Sequence, residues 1–276
     1  MNNALILIIY YFSILISILG FGLFFLGLFK KQLSSSNFGY VGLFGIYVLL
    51  IYSYLSNFIL AHSELHNTLL LILGVILFLF KIFNNYSKYK KEFLLSILVF
   101  FLISSSIFLY KNHDDFPYYH FPYTYYLTQQ SFYIGIGQFN HGFRTPSSIF
   151  YLNSLFYLPH IKYFLINSGA VFIMGFSNLV IIDKIYNQLK IKKYSFILFL
   201  SVLSFIYINT AFYRIAEHGT DRSALILIFV LVITYIESLR ILKKKFSNIN
   251  FVIYYEKIIV LLLLIISLKS FYLIYF

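Results

Sequence analysis

The sequence predicts an all-α fold, a polytopic transmembrane helical bundle of about eight spans. Of its 276 residues, 61% are hydrophobic and only 11% are charged, whereas soluble domains are closer to half apolar. The mean hydropathy is +0.83. A helix needs about 20 apolar residues to cross a bilayer, and the apolar stretches of this chain recur at that length between short polar turns.

Each predicted span follows one apolar stretch. The eight spans are 4–29, 41–60, 68–83, 93–110, 163–182, 194–212, 224–239 and 253–268. The first span has no basic leader and no small-residue cleavage site, and Lys30 and Lys31 follow it. We therefore interpret it as a membrane anchor rather than a signal peptide.

The basic residues predict the orientation of the chain. Short cytoplasmic loops retain lysine and arginine, and 15 of the 21 basic residues lie in or at the edges of loops one, three, five and seven. We therefore expect a protein of the cytoplasmic membrane with its N-terminus and even-numbered loops outside. The net charge of +12 then reflects orientation in the lipid bilayer, and nucleic acid is not an expected partner.

Chemically reactive side chains concentrate in the predicted outer loops. Five of the nine acidic residues and all seven histidines lie there, although membrane insertion does not require it. The histidines are His62, His66, His113, His120, His141, His160 and His218. The absence of cysteine excludes thiolate metal sites, a catalytic cysteine and disulfides. We expect the function to lie on the outer face.

The fourth loop, between residues 110 and 163, is too long for a simple connection and too aromatic for disorder. Turn and cap residues predict two short helices in it, one over 120–131 and one over 146–158. Thr145 is the predicted N-cap of the second helix and Pro159 its end. We expect both helices to lie in the headgroup layer, since they are rich in aromatic side chains.

Two charged groups in the outer loops are candidates for chemistry. Asp114 and Asp115 closely follow the fourth span, where one is expected to act while the other caps a turn or binds a cation; alternatively, both only cap the next turn. The sixth loop carries Arg214, Glu217, His218, Asp221 and Arg222. These charges either pair in a solvated turn or bind an anionic substrate through the two arginines, which are unexpected on this face.

The segments HDDFPYYHFPY (113–123) and GFRTPSS (142–148) resemble the GT-C superfamily of polytopic glycosyltransferases. That superfamily includes protein O-mannosyltransferases and lipid A aminoarabinose transferases, which carry an acidic pair after a span in a long outer loop. The resemblance covers roughly residues 93–223. It implies a GT-C-like core over 93–276, which we expect to be shortened at its C-terminus. The three-span segment over 1–92 that precedes this core departs from the pattern of the superfamily.

The resemblance implies transfer of a sugar from a polyprenyl-phosphate donor to an extracytoplasmic acceptor. Asp114 or Asp115 would be the base on the acceptor hydroxyl. Arg144, Arg214 and Arg222 are the candidates for the leaving phosphate. Lys269 either meets a lipid phosphate or marks the outer end of the last span. The other candidate substrate-binding residues are His113, His120, His141, Glu217, His218 and Asp221.

A divalent cation is compatible with the ligands around Asp114 and Asp115, but no regular spacing assigns a metal or another cofactor. His62 and His66 stand four residues apart, which predicts surface polarity on one helix face. Three other functions stay open: a glycan polymerase or ligase, a transporter, and a non-enzymatic membrane subunit. Transport is disfavoured because, apart from Glu237, the predicted spans carry almost no internal charge. The sugar, the acceptor and the oligomeric state stay open.

Overall fold

The computed structural model describes residues 3–28, 37–83, 85–108, 114–144, 146–192, 194–217, 219–243 and 248–275. Over these residues the chain is helical, with one isolated bridge between Leu158 and Lys162 and no strand. The predicted all-α class is confirmed. Eleven α-helices are described: α1 (Asn3–Leu28), α2 (Phe38–Asn57), α3 (Glu64–Phe83), α4 (Tyr86–Ile103), α5 (Ser105–Phe108), α6 (Phe121–Gln129), α7 (Ser148–Ser154), α8 (Ser168–Lys190), α9 (Phe196–Ala211), α10 (Gly219–Lys243) and α11 (Asn248–Leu268).

Six described segments are long and apolar enough to cross a bilayer, with α4 and α5 together counting as one. They correspond to predicted spans one to five and seven. The helix at span six, α9, is apolar but has only 16 residues, and α11 lies at span eight. The chain is therefore a multi-pass membrane protein. The predicted boundary between residues 92 and 93 falls inside α4, and α2 of the first segment packs against α8 of the second.

Helices α1, α2 and α3 pack at backbone contact. A Cβ atom on Gly20 would lie 1.9 Å from the carbonyl oxygen of Gly74 in α3, and one on Gly45 would lie 2.1 Å from that of Ile18 in α1. Lipid supplies no hydrophobic force between spans, so small residues that permit close packing are a main source of helix association. These glycines therefore fix how closely the first three helices approach each other.

The turns gather at two opposite ends of the bundle. At the end that carries residues 104–167, called the long-loop end, the amide of His62 donates to the carbonyl of Leu127 at 2.9 Å, and that of Phe132 donates to Asn57 at 2.7 Å. At the other end, called the lysine end, the Lys91 ammonium lies 4.5 Å from the ring centre of Tyr186. Loop two therefore lies against loop four, and loop three against loop five, as expected for loops on a shared face. Which end faces the cytoplasm stays a prediction from charge.

The first predicted helix of the long loop, over 120–131, is found as α6, whereas the second begins and ends at other residues than predicted. A π-helical turn, Phe116–His120, runs directly into α6. Helix α7 begins at Ser148 with Ser147 as N-cap, whose hydroxyl oxygen accepts from the amide of Ile149, whereas Thr145 lies outside the described residues. Helix α7 ends at Ser154, before the predicted end at Pro159. Residues 158–167 form turns, so α8 begins at residue 168 rather than 163.

Helix α7 is part of the protein core. All seven of its residues are buried, so the prediction that it lies in the headgroup layer is wrong. Its polar side chains find partners inside the protein: Ser148 bonds the hydroxyl of Tyr54 at 2.8 Å, and Asn153 Oδ1 accepts from the amide of Gly169 at 3.1 Å. Sequence composition alone does not show such partners, which make burial of this helix possible.

Candidate functional site

The two adjacent aspartates occupy different surroundings at the start of the π-helical turn. Asp114 is exposed, whereas Asp115 is half-buried. Asp115 holds the N-cap position of the turn, yet its side chain makes no capping hydrogen bond. The alternative that both aspartates only cap the next turn is therefore wrong for Asp115, whose carboxylate points elsewhere.

Tyr119 connects Asp115 to the sixth loop. Burial raises the pKa of the Tyr119 hydroxyl, and the nearby carboxylates of Asp115 and Asp221 raise it further. The Asp115 carboxylate lies close enough to the Tyr119 hydroxyl to accept a hydrogen bond from it. The fourth and sixth loops meet here, since Phe116 and His120 line one cavity together with Gly219 and Thr220. Tyr119 is one of 27 tyrosines and was not among the predicted site residues. Its four-residue spacing from Asp115 is the signal in the sequence that places the two side chains on one helix face.

Asp221 and Lys269 form the second half of this site. Asp221 lies in the first turn of α10, and its Oδ1 is 2.8 Å from the ammonium nitrogen of Lys269. Helix α11 ends at Leu268 as predicted, and the hydroxyl of Ser147 donates to the Leu268 carbonyl at 2.6 Å. The long loop therefore fixes the end of α11 and with it the position of Lys269.

The segment after α6 covers one side of Tyr119. A Cβ atom on Gly142 would lie 2.4 Å from Cγ of the Tyr119 ring, and the side-chain amide of Asn140 donates to the carbonyl of Tyr118 at 2.9 Å. The candidates His141 and Arg144 lie on either side of Gly142 and are exposed. They therefore stand at the solvent edge of the site.

The arginines already make backbone contacts. Nη1 of Arg222 donates to the carbonyl of Arg214 at 2.9 Å, and both residues are half-buried. Nε of Arg144 lies 3.4 Å from the carbonyl of Gly137. A guanidinium has five N–H donors, so Arg144 and Arg222 have further N–H groups that could bind a phosphate.

His120 lies behind Tyr119, buried to 6% exposure, with its ring centre 4.4 Å from that of Tyr119. It lines a polar cavity of about 10 Å³ together with Thr124, Asn153 and Thr220. Such a cavity has room for about one water. The cavity is therefore too small for a substrate.

An apolar groove of about 620 Å³ adjoins the site. It lies between the N-terminal part of α1, α5, the long loop and the start of α8, and its lining includes Leu7, Phe108, Phe116, Phe121 and Phe164. Phe116 and Phe121 also line the polar cavity. The groove therefore reaches the helical turn that begins beside Asp115. Its volume lies within the usual range for ligand pockets.

Three candidates cannot be placed beside these residues. His113 and His218 lie outside the described residues, and the side chain of Glu217 is outside them as well. In the part of the chain that the structure describes, no three His, Asp or Glu side chains come together as a metal site. The divalent cation therefore stays unassigned.

A buried polar network is formed around His62. His62 precedes α3 and is 0% exposed, so the predicted surface position beside His66 is wrong for it. Its Nδ1 lies 2.7 Å from Oγ of Ser154, and its Nε2 lies 3.0 Å from Oγ of Ser56. Burial lowers the pKa of His62 to about 3. A neutral histidine therefore joins α2 to α7.

A second buried cluster lies at the lysine end. Nζ of Lys184 is 2.5 Å from Oε2 of Glu237, with side chains only 8% and 17% exposed. Lys257 is 4% exposed, and its ammonium lies 4.4 Å from the ring centre of Tyr40. Glu237 is the charge that the prediction excepted, Lys184 lies just beyond predicted span five, and Lys257 lies inside predicted span eight. These side chains join α2, α8, α10 and α11.

Comparison with known proteins gives one match. Residues 4–276 match a family described as Domain of unknown function (DUF8201). No curated protein and no solved structure matches the chain.

Proposed function

The chain belongs to the DUF8201 family, and we propose that it is a membrane glycosyltransferase, which moves a sugar from a polyprenyl-phosphate donor to an extracytoplasmic acceptor. The observation that carries the proposal is the convergence on Tyr119. Asp115 bonds its hydroxyl, and Asp221, which acts on the same hydroxyl, is paired with Lys269. A carboxylate and a cation in one site are the two charges that sugar transfer from a phosphate needs.

Asp115 is the proposed base. As the acceptor oxygen bonds to the anomeric carbon, the bond from that carbon to the phosphate oxygen breaks, and Asp115 takes the acceptor proton. The Tyr119 hydroxyl holds the Asp115 carboxylate in one orientation. Fixed orientation accounts for a large part of catalytic acceleration, so Asp115 is favoured over the exposed Asp114.

Lys269 and Arg222 are the proposed partners of the departing phosphate. Lys269 is 45% exposed while it pairs with Asp221, so a phosphate can approach its ammonium from solvent. Arg222 follows Asp221 directly and has one of its nitrogens on the Arg214 carbonyl. Its remaining N–H groups suit a phosphate, which guanidinium groups bind in a bidentate manner.

The apolar groove beside the site is the proposed place for the polyprenyl chain. Phe116, which immediately follows Asp115, lines one part of the groove, and Leu7 and Phe108 belong to the membrane helices. A chain lying there would bring its phosphate to the turn that carries Asp115. An apolar groove that ends at charged groups suits a lipid whose head is reactive.

Two comparisons test the proposal. Purified protein in vesicles should transfer labelled sugar from a polyprenyl-phosphate donor, and Asp115→Asn should lower the rate by about 100-fold or more, as expected for loss of a general base. Asp114→Asn is the matched control and should keep most of the activity, since its side chain is exposed. Deletion of the gene should change the surface-glycan profile, and an unchanged profile with full activity of Asp115→Asn contradicts the proposal.

Transport is a second candidate, which the buried charges at the lysine end favour. Lys184 and Glu237 lie within long helices, and ionisable groups inside membrane segments often mark ion pathways. In a transporter, Lys184→Met would stop proton or ion flux across vesicles that contain the purified protein. If flux depends on Lys184 and no sugar is transferred, this second function replaces the first.

A further inference from the structure

A polar cavity, here called the recess, adjoins the apolar groove proposed for the polyprenyl chain. The recess is lined by His120, Thr124, Asn153 and Thr220, among others. It is too small for a whole substrate, but its volume of about 10 Å³ accepts one oxygen atom the size of a water. Five residues line both the recess and the groove: Phe116, Phe121, Ile166, Asn167 and Ala216. A lipid in the groove therefore has the recess beside it.

Asn153 presents hydrogen-bond donors to the recess. Its side chain is only 6% exposed, and its Oδ1 accepts from the amide of Gly169 at 3.1 Å. Because Oδ1 is engaged by Gly169, the NH₂ group is the part of Asn153 that remains to face the recess. Within the described part of the chain, the bond to Gly169 is the only hydrogen bond of this side chain. A buried NH₂ group needs an acceptor, so the recess favours a ligand that supplies one.

Gly169 permits this arrangement of the Asn153 side chain. A Cβ atom on residue 169 would lie 2.4 Å from Oδ1 of Asn153. Any larger residue would therefore push the asparagine side chain away from the first turn of α8. The direction of the Asn153 NH₂ group thus depends on a glycine that the sequence places there.

Two long helices begin at the recess. Asn167 is the N-cap of α8, makes no side-chain capping bond, and lines both the recess and the groove. Gly219 and Thr220, the first residues of α10, also line the recess. The first amides of a helix lack intrahelical partners, and the helix dipole favours negative charge there. Two helix N-termini and the Asn153 amide therefore suit an anionic oxygen.

The acidic residue in the first turn of α10 has its charge offset by two neighbours. Asp221 accepts from the hydroxyl of Thr220 at 3.3 Å, and it pairs with the ammonium of Lys269 at 2.8 Å. Arg222, the next residue, has further N–H groups beyond the one on the Arg214 carbonyl. An anion at the start of α10 therefore meets more positive charge and N–H donors than negative charge.

We propose that the recess binds one non-bridging oxygen of the donor's phosphate, with the Asn153 amide and the start of α10 donating to it. This assignment rests on the proposed function, because it takes the polyprenyl chain to lie in the groove. It adds a specificity role for two side chains that the proposed reaction does not use. Asn153 and Asn167 distinguish a lipid phosphate from the corresponding lipid alcohol, which brings no negative charge to the two helix N-termini.

Equilibrium binding tests the proposal without any turnover. The purified full chain in detergent binds a radiolabelled polyprenyl monophosphate, and four unlabelled compounds compete: the same monophosphate, the polyprenol of equal length, phosphatidic acid and inorganic phosphate. The wild-type protein should prefer the monophosphate to the polyprenol by about tenfold or more, as expected for hydrogen bonds to a charged group. Phosphatidic acid and inorganic phosphate should compete less well than the monophosphate, since neither carries a polyprenyl chain.

Two variants locate the phosphate. Asn153→Asp keeps an oxygen for the Gly169 amide and replaces the NH₂ group with a second oxygen. It should weaken binding of the monophosphate by about tenfold and leave binding of the polyprenol unchanged. Asn167→Ala should act in the same direction, and it should cost α8 little because Asn167 makes no capping bond. Asn187→Ala, which replaces an exposed asparagine of α8 at the lysine end, is the matched control.

Three results overturn the proposal. Equal affinity of the wild-type protein for the monophosphate and the polyprenol means that no phosphate is recognised, and this result needs no variant to fold. Unchanged affinity of both Asn153→Asp and Asn167→Ala for the monophosphate places the phosphate at Lys269 and Arg222 alone. Competition by phosphatidic acid or inorganic phosphate equal to that of the monophosphate assigns the recess to another phosphate. If binding is as expected but no sugar is transferred, the proposed function is wrong and the recess keeps its ligand.

Discussion

The ammonium nitrogen of Lys269 lies 2.8 Å from Oδ1 of Asp221, and the two side chains are 45% and 52% exposed. Ion pairs this exposed contribute about 0–1 kcal/mol to folding. The pair therefore does little for stability, although it joins the end of α11 to the start of α10. We therefore propose that the pair binds substrate instead, since Asp221 also acts on the Tyr119 hydroxyl.

Lys269→Met should weaken binding of the polyprenyl-phosphate donor without unfolding the protein. Loss of one charge-assisted contact to a phosphate costs about 1.5–3 kcal/mol, which raises KM for the donor by about tenfold or more. The melting temperature should stay within the error of the measurement. Lys269→Arg should retain most of the affinity, and Lys190→Met, an exposed lysine at the other end of the bundle, serves as control. Unchanged KM in Lys269→Met refutes the role.

Tyr119→Phe should lower kcat more than it raises KM. The variant keeps the ring on which Gly142 packs and removes only the hydroxyl that orients Asp115. Loss of that hydrogen bond should slow transfer by about tenfold, the equivalent of about 1.4 kcal/mol. Tyr118→Phe is the matched control, because Tyr118 is adjacent and 57% exposed. Equal kcat values for the two variants would show that the hydroxyl does not position Asp115.

Gly142→Ala should damage the site while leaving the fold intact. The added Cβ would lie 2.4 Å from Cγ of Tyr119, so the Tyr119 ring has to move away. A displaced Tyr119 no longer holds Asp115, and the rate should fall by about tenfold or more, as small displacements at catalytic groups do. Gly137→Ala is the control, since its Cβ would lie 3.2 Å from Cγ and 3.3 Å from Cα of the exposed Arg144, which requires a much smaller shift. Loss of activity in Gly137→Ala as well would indicate that the whole segment is sensitive.

Much of the fold could be predicted from sequence because apolar stretches and helix length follow directly from the bilayer. Each predicted span overlaps a helix, and the end of α11 at Leu268 agrees with the prediction. The position of α7 could not be predicted, because its burial depends on partners such as Tyr54 and His62 that are distant in sequence. The effect of Asp221 on Tyr119 could not be predicted either, because the two residues are distant in sequence and only the fold brings them near each other.

Acid should destabilise the protein through His62. Its pKa is lowered to about 3 from the ordinary 6.5, so below pH 6.5 the unfolded chain takes up a proton that the folded protein does not. The contribution of His62 to the free energy of unfolding is therefore fully present above pH 6.5, and it decreases as the pH drops towards 3. Between pH 7 and 4.5 the loss is about 2–3 kcal/mol. Denaturant unfolding in detergent at the two pH values measures it.

Two variants separate His62 from other acid effects. His62→Gln should be less stable at pH 7 but should lose less stability on acidification than the wild-type protein. His141→Gln, which replaces an exposed histidine, should keep the wild-type dependence on pH. The same loss in all three proteins would assign the acid sensitivity to groups other than His62.

The ion pair of Lys184 and Glu237 should show strong coupling in a double-mutant cycle. Because both side chains are largely buried, Lys184→Met leaves the Glu237 carboxylate without this partner and should cost about 3–5 kcal/mol of stability. Glu237→Gln should cost a similar amount. The double variant Lys184→Met/Glu237→Gln removes both charges, so it should be more stable than the sum of the single effects predicts. Thermal unfolding in detergent measures all four proteins. Additive losses would show that Lys184 and Glu237 do not stabilise each other. Asp183 or Lys257, which lie in the same cluster, would then compensate the charge of the remaining partner.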